Sequence, residues 1–167
     1  MTEAVLFYLF SFVAVVAGLS VVLARNPIAS ALSLVVCFFF LAADYVLMDA
    51  HFVAVIQILV YAGAIMVLFI FVIMLLNLRD DAPTPLLELS RRALIGMGVS
   101  GLIGVGLITA LEAVPARAVA ALPDNYGTVA SIGTAIFGGD YLLPFEVVSV
   151  LLTVAVVGAV VLAKREI

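Results

Sequence analysis

Long apolar runs alternate with short polar breaks along almost the whole chain. Five of these runs reach about 20 residues or more, the length that a helix needs to cross a bilayer core of roughly 30 Å. They cover residues 4–24, 28–48, 52–76, 93–113 and 143–163. Polar and apolar residues do not alternate within them, as they would in membrane-spanning strands. Because only a helix satisfies its own backbone hydrogen bonds in lipid, the pattern predicts an all-α integral membrane protein with five transmembrane helices.

The composition also indicates a lipid environment. Hydrophobic residues make up 67% of the 167 residues and charged residues 11%, against roughly 45–50% and 25% in soluble domains. A soluble domain of this size buries only about 70% of the surface of its unfolded chain, so much of this apolar surface would remain in water. These values exclude a soluble enzyme, a nucleic-acid-binding protein and a disordered tail.

The basic residues predict the orientation in the membrane. Six of the seven bases follow the first, third or fifth run, and only Arg117 falls on the other side. Since cytoplasmic loops carry the excess of Lys and Arg, we expect the N-terminus outside and the C-terminus in the cytoplasm. The first run lacks a basic n-region and exceeds a usual signal-peptide core, so we expect it to be retained. The six bases are Arg25, Arg79, Arg91, Arg92, Lys164 and Arg165.

We expect one membrane domain over residues 1–167, with residues 114–142 as an outer loop. Within that loop, residues 128–137 place several apolar side chains on one helical face, which is typical of a short interfacial helix. Gly138 and Gly139 would end it.

Polar residues inside membrane spans are candidate functional residues, because they are costly in lipid. Gln57 and Tyr61 lie four residues apart in the third run and share a helix face. They could form a polar hinge or a strip that contacts water, or only an interhelical hydrogen bond beside small residues. This run has 25 residues, so it could tilt, or it could hold a π-bulge that Gly63 would ease.

Two acids lie near the outer ends of spans. Asp44 could line a proton path or pair with a neighbouring side chain. Glu146 follows Pro144 at the predicted start of the fifth span, where the helix dipole would stabilise a carboxylate. Neither acid has a second carboxylate at a spacing typical of acid–base catalysis, and we expect the lone His51 to be solvated.

The chain has few residues of the kinds that form metal, cluster or nucleotide sites. A single cysteine, Cys37, and a single histidine cannot build a zinc or iron–sulfur site, so we expect no metal site and no catalytic residue. Residues 96–101 match the G-x-G-x-x-G pattern but lie inside an apolar run, whereas a dinucleotide site requires a strand-to-helix turn. Gly96, Ser100 and Gly104 are better interpreted as a ridge for close helix packing.

Two stretches are more specific than a generic membrane helix. VYAGAIMVLF at residues 60–69, continuing to MLLN at 74–77, resembles the third helix of the J subunit of proton-pumping NADH:quinone oxidoreductase, respiratory complex I. YLLPFEVVS at 141–149, with VVGA at 156–159 and AKRE at 163–166, resembles the last helix of the same family. Asn26-Pro27 also fits, and the resemblance covers about residues 4–81 and 128–166.

The resemblance implies a non-catalytic subunit in the membrane arm of complex I, in the bacterial cytoplasmic (inner) membrane. Its partners would be the H, A and K subunits and the neighbouring antiporter-like subunits. It implies no cofactor in this chain, because NADH, FMN, iron–sulfur clusters and quinone are used by other subunits. Conformational change and hydration around the third helix, at a π-bulge beside Tyr61 and Gly63, would couple quinone reduction to proton translocation. Asp44 and His51 depart from the pattern that the family leads us to expect.

Three alternatives remain open on the sequence. The chain could be the equivalent subunit of a membrane-bound hydrogenase, an antiporter-type complex or an oxidoreductase with another electron donor. It could also be a purely structural scaffold. A stand-alone transporter is least supported, because the chain shows neither inverted repeats nor broken helices around a midplane site.

Overall fold

The computed structural model describes residues 2–76, 91–113, 125–139 and 141–164. In these ranges every regular element is helical. The chain divides into two units, residues 1–78 with 123–167, and residues 79–122. The helices are α1 (Thr2–Leu23), α2 (Pro27–Leu47), α3 (His51–Leu76), α4 (Arg91–Ala113), α5 (Val129–Phe137) and α6 (Leu142–Ala163).

Four helices, α1, α2, α3 and α6, are long and apolar enough to cross a membrane. Each begins and ends within two residues of an apolar run in the sequence. Helix α4 coincides with the remaining run, and Gly98–Ala110 within it is apolar. The all-α prediction is therefore confirmed, whereas the fifth span, the orientation of the termini and the single membrane domain stay predictions.

Helices α1 and α2 form an antiparallel pair joined by a tight turn. Asn26 caps α2, because its Oδ1 accepts hydrogen bonds from the amides of Ile28 and Ala29 at 2.8 and 3.3 Å. Pro27 occupies the first turn, where its missing N–H costs nothing. Small side chains allow the two helices to approach closely, as is usual in membranes. The buried ones are Ala14, Ala17, Ala31 and Ala42.

Helix α3 returns along α2 after a short turn that contains Asp49 at a positive φ of 57°. Its buried positions are Ala54, Ala62 and Met66. The helix is continuous but not uniform, since α-helical turns at both ends flank a π-helical segment. This segment lies at the residues that the sequence marks as candidates.

A backbone hydrogen bond just before α5 connects this helix to the first turn of α3. The Phe52 amide donates to the carbonyl oxygen of Gly127 at 3.0 Å. Gly127 has φ of +68°, and a Cβ there would overlap the Asp49 carbonyl oxygen, so only glycine fits. At its other end α5 meets α6, where the rings of Phe137 and Phe145 lie 5.1 Å apart. The helix itself lies where it was predicted and ends at Gly138, while its location at the membrane interface stays a prediction.

Candidate functional site

The centre of α3 is a π-helix over Gln57–Ile65, nine residues long. At its end the Met66 amide donates to the carbonyl oxygen of Tyr61, five residues earlier, rather than four as in an α-helix. π-Helical turns are rare and occur frequently at functional sites. Of the two explanations offered for the long third run, tilt or a π-bulge, the structure contains the second.

Gly63 fits the widened turn because it has no side chain. A Cβ atom on Gly63 would lie 3.2 Å from the carbonyl oxygen of Ile58, closer than an ordinary carbon–oxygen contact. The backbone of Gly63 does not have a positive φ, so the requirement is for space rather than for a glycine conformation. A larger, β-branched side chain would press on the Ile58 carbonyl and disfavour the π turn.

The π segment determines which side chains of α3 face α2. If α3 continued as an α-helix from the buried Ala54, the repeat of 3.6 residues would place Tyr61 and Ile65 on that face. Instead Ala62 and Met66 are buried, at 6% and 3% exposure. Tyr61 and Ile65 remain about half-exposed. One extra residue in the turn has therefore rotated the face by about 100°, the angle per residue of a helix.

Tyr61 nevertheless keeps one contact with α2. Its ring lies 5.8 Å from that of Phe38, centroid to centroid, in an edge-on arrangement with 69° between the ring planes. Such aromatic pairs contribute about 0.5–1.5 kcal/mol beyond burial. Gln57, one turn earlier, is half-buried. The structure thus places Gln57, Tyr61 and Gly63 together in one π-helical segment.

Asp44 is a buried acid at the α1–α2 interface, with 7% exposure. The Ser11 hydroxyl donates to its Oδ2 at 2.9 Å. Its Oδ1 is buried and has no hydrogen-bond partner among the described residues. Of the two interpretations for Asp44, the structure contains the pair with a neighbour, and the proton-path role stays a prediction.

The remaining candidates, Glu146 and His51, lie apart from the π segment. Helix α6 begins at Leu142 and has no acid in its first turn, so Glu146 falls in the second turn and its side chain is exposed. Dipole effects fade within the first turn, so the expected dipole role does not explain Glu146. His51 is half-exposed, with Nε2 3.9 Å from Asp49 Oδ1.

The G-x-G-x-x-G stretch lies within α4, an uninterrupted α-helix. It does not form the strand-to-helix turn that binds a dinucleotide.

Two partners of the site carry no signal in the sequence. Phe38 is one of three consecutive phenylalanines in α2, and nothing in that run singles out the one that meets Tyr61. The Ile58 carbonyl is a backbone group and has no sequence signature at all.

Comparison with known families gives a match over most of the chain. The family described as NADH-ubiquinone/plastoquinone oxidoreductase chain 6 matches residues 17–162. The chain belongs to this family. The resemblance read from the two motifs, in the third and the last helix, is confirmed.

The similarity to individual relatives covers nearly the whole sequence of this chain. NAD(P)H-quinone oxidoreductase chain 6 of Synechocystis sp. is 39% identical over 163 residues, 96% of this chain and 80% of the relative. NADH-quinone oxidoreductase subunit J of Rhodobacter capsulatus is 38% identical over 165 residues, 95% and 80% of the two chains. F(420)H(2) dehydrogenase subunit J of Methanosarcina mazei is 34% identical over 172 residues, 98% and 92% of the two chains.

Proposed function

We propose that this chain is a non-catalytic, membrane-arm subunit of a proton-translocating quinone oxidoreductase of the complex I type. In this role it couples quinone reduction to proton translocation by a conformational change of α3. One observation carries the proposal: the π segment Gln57–Ile65 lies in the middle of a membrane-length helix, with Gly63 against the Ile58 carbonyl.

The subunit role is supported by the names of the relatives. Those of Synechocystis and Rhodobacter are a chain and a subunit of quinone oxidoreductases that use NAD(P)H or NADH. The partners would be other membrane subunits of such a complex, among them the H, A and K subunits and the antiporter-like subunits. The NADH, FMN, iron–sulfur clusters and quinone of the reaction would be held by other subunits. A bacterial cytoplasmic membrane would hold the complex.

The coupling role would arise from two registers of α3, the observed π register and an α register. Coupling between distant sites requires an element with two discrete arrangements whose equilibrium both sites bias. In the π register Ala62 and Met66 face α2, and in an α register Tyr61 and Ile65 would replace them. The phenol of Tyr61 and the amide of Gln57 would then change their surroundings and order water in one register only. Quinone chemistry elsewhere in the complex would bias the equilibrium.

A second candidate function is the same subunit in a machine with another electron donor. The 34% identity to a subunit of an F(420)H(2) dehydrogenase supports it. The fold of this chain would be the same in both, because the donor binds to other subunits.

The subunit role can be tested with a tagged copy of the chain purified in mild detergent from the membranes that produce it. A native gel stained for NADH oxidation should show the tag in a very large, NADH-oxidising band. A large band without that activity would favour the second candidate. Migration as a small, isolated species from active membranes would contradict both.

The coupling role can be separated from a scaffold role in the same preparation. Assembled enzyme that carries Tyr61→Phe or Gly63→Val should reduce quinone but translocate fewer protons per quinone. Normal translocation by both assembled variants would support a structural scaffold instead.

A further inference from the structure

The N-terminal part of α6, as far as its middle, carries a polar face that the described part of its unit leaves uncovered. Glu146, Ser149 and Thr153 follow a spacing of three and four residues, which places them within about 60° around the helix. All three side chains are exposed. Among the described residues of its unit, α6 contacts only α5, through Phe137 and Phe145 at its N-terminal end. None of the residues of α6 is buried.

The depth of this face argues against lipid as its neighbour. Helix α6 has 22 residues, so at 1.5 Å per residue it is about 33 Å long and matches a bilayer core of roughly 30 Å. Glu146 is the fifth residue and lies inside the apolar span, beyond the reach of the helix dipole. Thr153 is the twelfth, close to the middle of the span, where no lipid headgroup reaches.

The hydrogen bonds that the side chains of this face already make indicate which chemical groups could bind to it. The hydroxyls of Ser149 and Thr153 donate to backbone carbonyl oxygens four residues earlier, at 3.1 and 3.0 Å. Their oxygens therefore remain available as acceptors. A carboxylate accepts hydrogen bonds only, and no described residue donates to that of Glu146. The face offers only acceptors and one negative charge.

We propose that the face formed by Glu146, Ser149 and Thr153 is the docking surface for a transmembrane helix of a neighbouring subunit, which brings a Lys or Arg side chain to Glu146. Polar residues inside membranes usually face other helices and pair with one another, and opposite charges across an interface set its register. The inference rests on the proposed function, because it requires a complex with other membrane subunits.

The test uses a photoreactive benzoyl-phenylalanine placed singly at Thr153, at Ser149, or at Val148 as a control. Val148 is 51% exposed and points about 160° away from Glu146. Illumination of the purified complex should link Thr153 and Ser149 to one transmembrane peptide of one other subunit, with a Lys or Arg at the level of Glu146. The control at Val148 should not give that product.

A charge reversal provides the second measurement. Glu146→Lys should lower the amount of chain recovered in the assembled complex by about tenfold or more, since a like charge across an interface costs several times RT. Glu146→Gln, which still accepts hydrogen bonds, should lower it less. Replacing the linked basic residue of the partner by Glu should restore the assembly of Glu146→Lys.

Three outcomes would overturn the docking proposal. They are cross-links from Thr153 to lipid alone, a linked peptide without a basic side chain, and assembly of Glu146→Lys at the level of the unsubstituted chain. Each can occur with the chain inside a large, active complex, and the proposed function would then stand. If the tagged chain is absent from any large complex, the proposed function itself fails.

Discussion

The hydroxyl of Ser11 donates a hydrogen bond of 2.9 Å to Oδ2 of Asp44 and so joins α1 to α2 inside the apolar pair. The second oxygen of the same carboxyl group is buried without a partner in the described part of the chain. A buried carboxyl group that loses its partner costs more than the bond itself contributes. The Ser11–Asp44 pair therefore has a large effect on the stability of the α1–α2 hairpin when only one partner is removed.

The Ser11–Asp44 pair predicts a double-mutant cycle with strong coupling. Ser11→Ala leaves both oxygens of Asp44 unpaired and should lower the free energy of unfolding by about 1–3 kcal/mol. The double variant Ser11→Ala with Asp44→Leu removes the buried polar group as well and should recover most of that loss. Unfolding of the purified chain in mixed micelles by a denaturing detergent measures both. Additive losses in the double variant would show that the two side chains are not coupled.

The close contact at Gly127 predicts that a side chain at this position weakens the attachment of α5 to α3. Gly127→Ala would force a side chain onto the Asp49 carbonyl at a φ of +68°, at a cost of about 1–3 kcal/mol. We expect the Phe52 amide, which donates to Gly127, to lose its protection in hydrogen exchange. Gly133→Ala is the matched control, since a Cβ there meets no atom within 4 Å. Equal protection of Phe52 in both variants would mean that α5 is not held by this contact.

At Tyr61 we expect the aromatic ring and the hydroxyl to have separate effects, the ring on stability and the hydroxyl on proton translocation. Tyr61→Phe keeps the edge-on contact with Phe38 and should leave stability and assembly unchanged. If the hydroxyl orders water, the same variant should lower the number of protons translocated per quinone. Tyr61→Ala should in addition lower stability by about 1 kcal/mol or more, because the aromatic pair is lost. Identical proton translocation in Tyr61→Phe and the unsubstituted enzyme would remove the hydroxyl from the mechanism.

The distribution of bases predicts the topology. Green fluorescent protein fused after Ile167 should fluoresce, because it folds in the cytoplasm, whereas alkaline phosphatase at the same place should be inactive. Alkaline phosphatase fused after Gly127 should be active, since residues 114–142 are predicted to lie outside. The reverse pattern at both positions would invert the orientation.

Helix positions could be predicted from the sequence because polar breaks border the apolar runs. Asn26 caps α2 and Pro27 fits its first turn, for reasons that local chemistry supplies, and the predicted end of α5 at Gly138 is also observed. The choice between tilt and a π turn in α3 could not be predicted, because it depends on which carbonyl each amide reaches, and no side-chain pattern records that choice. Gly63 allowed a π turn without requiring it.

The side-chain contacts between helices could not be predicted from the sequence either. Asp44 stood out as an acid in an apolar run, but Ser11 did not, since identifying it requires the register of α1 against α2. The expected dipole role of Glu146 failed for a related reason. Pro144 lies within the first turn of α6 as expected, yet the helix begins at Leu142 and moves the carboxylate into the second turn.

The proposed coupling requires that α3 can form the π turn, so that quinone reduction can drive proton translocation. The most direct test measures protons translocated per quinone reduced by assembled enzyme carrying Gly63→Ala or Gly63→Val. The matched control is Gly18→Ala, where a Cβ would lie 3.8 Å from Cys37 Sγ, an ordinary contact. We expect the ratio to fall in Gly63→Ala, to fall further in Gly63→Val, and to stay unchanged in Gly18→Ala. An unchanged ratio in assembled Gly63→Val enzyme would contradict the claim.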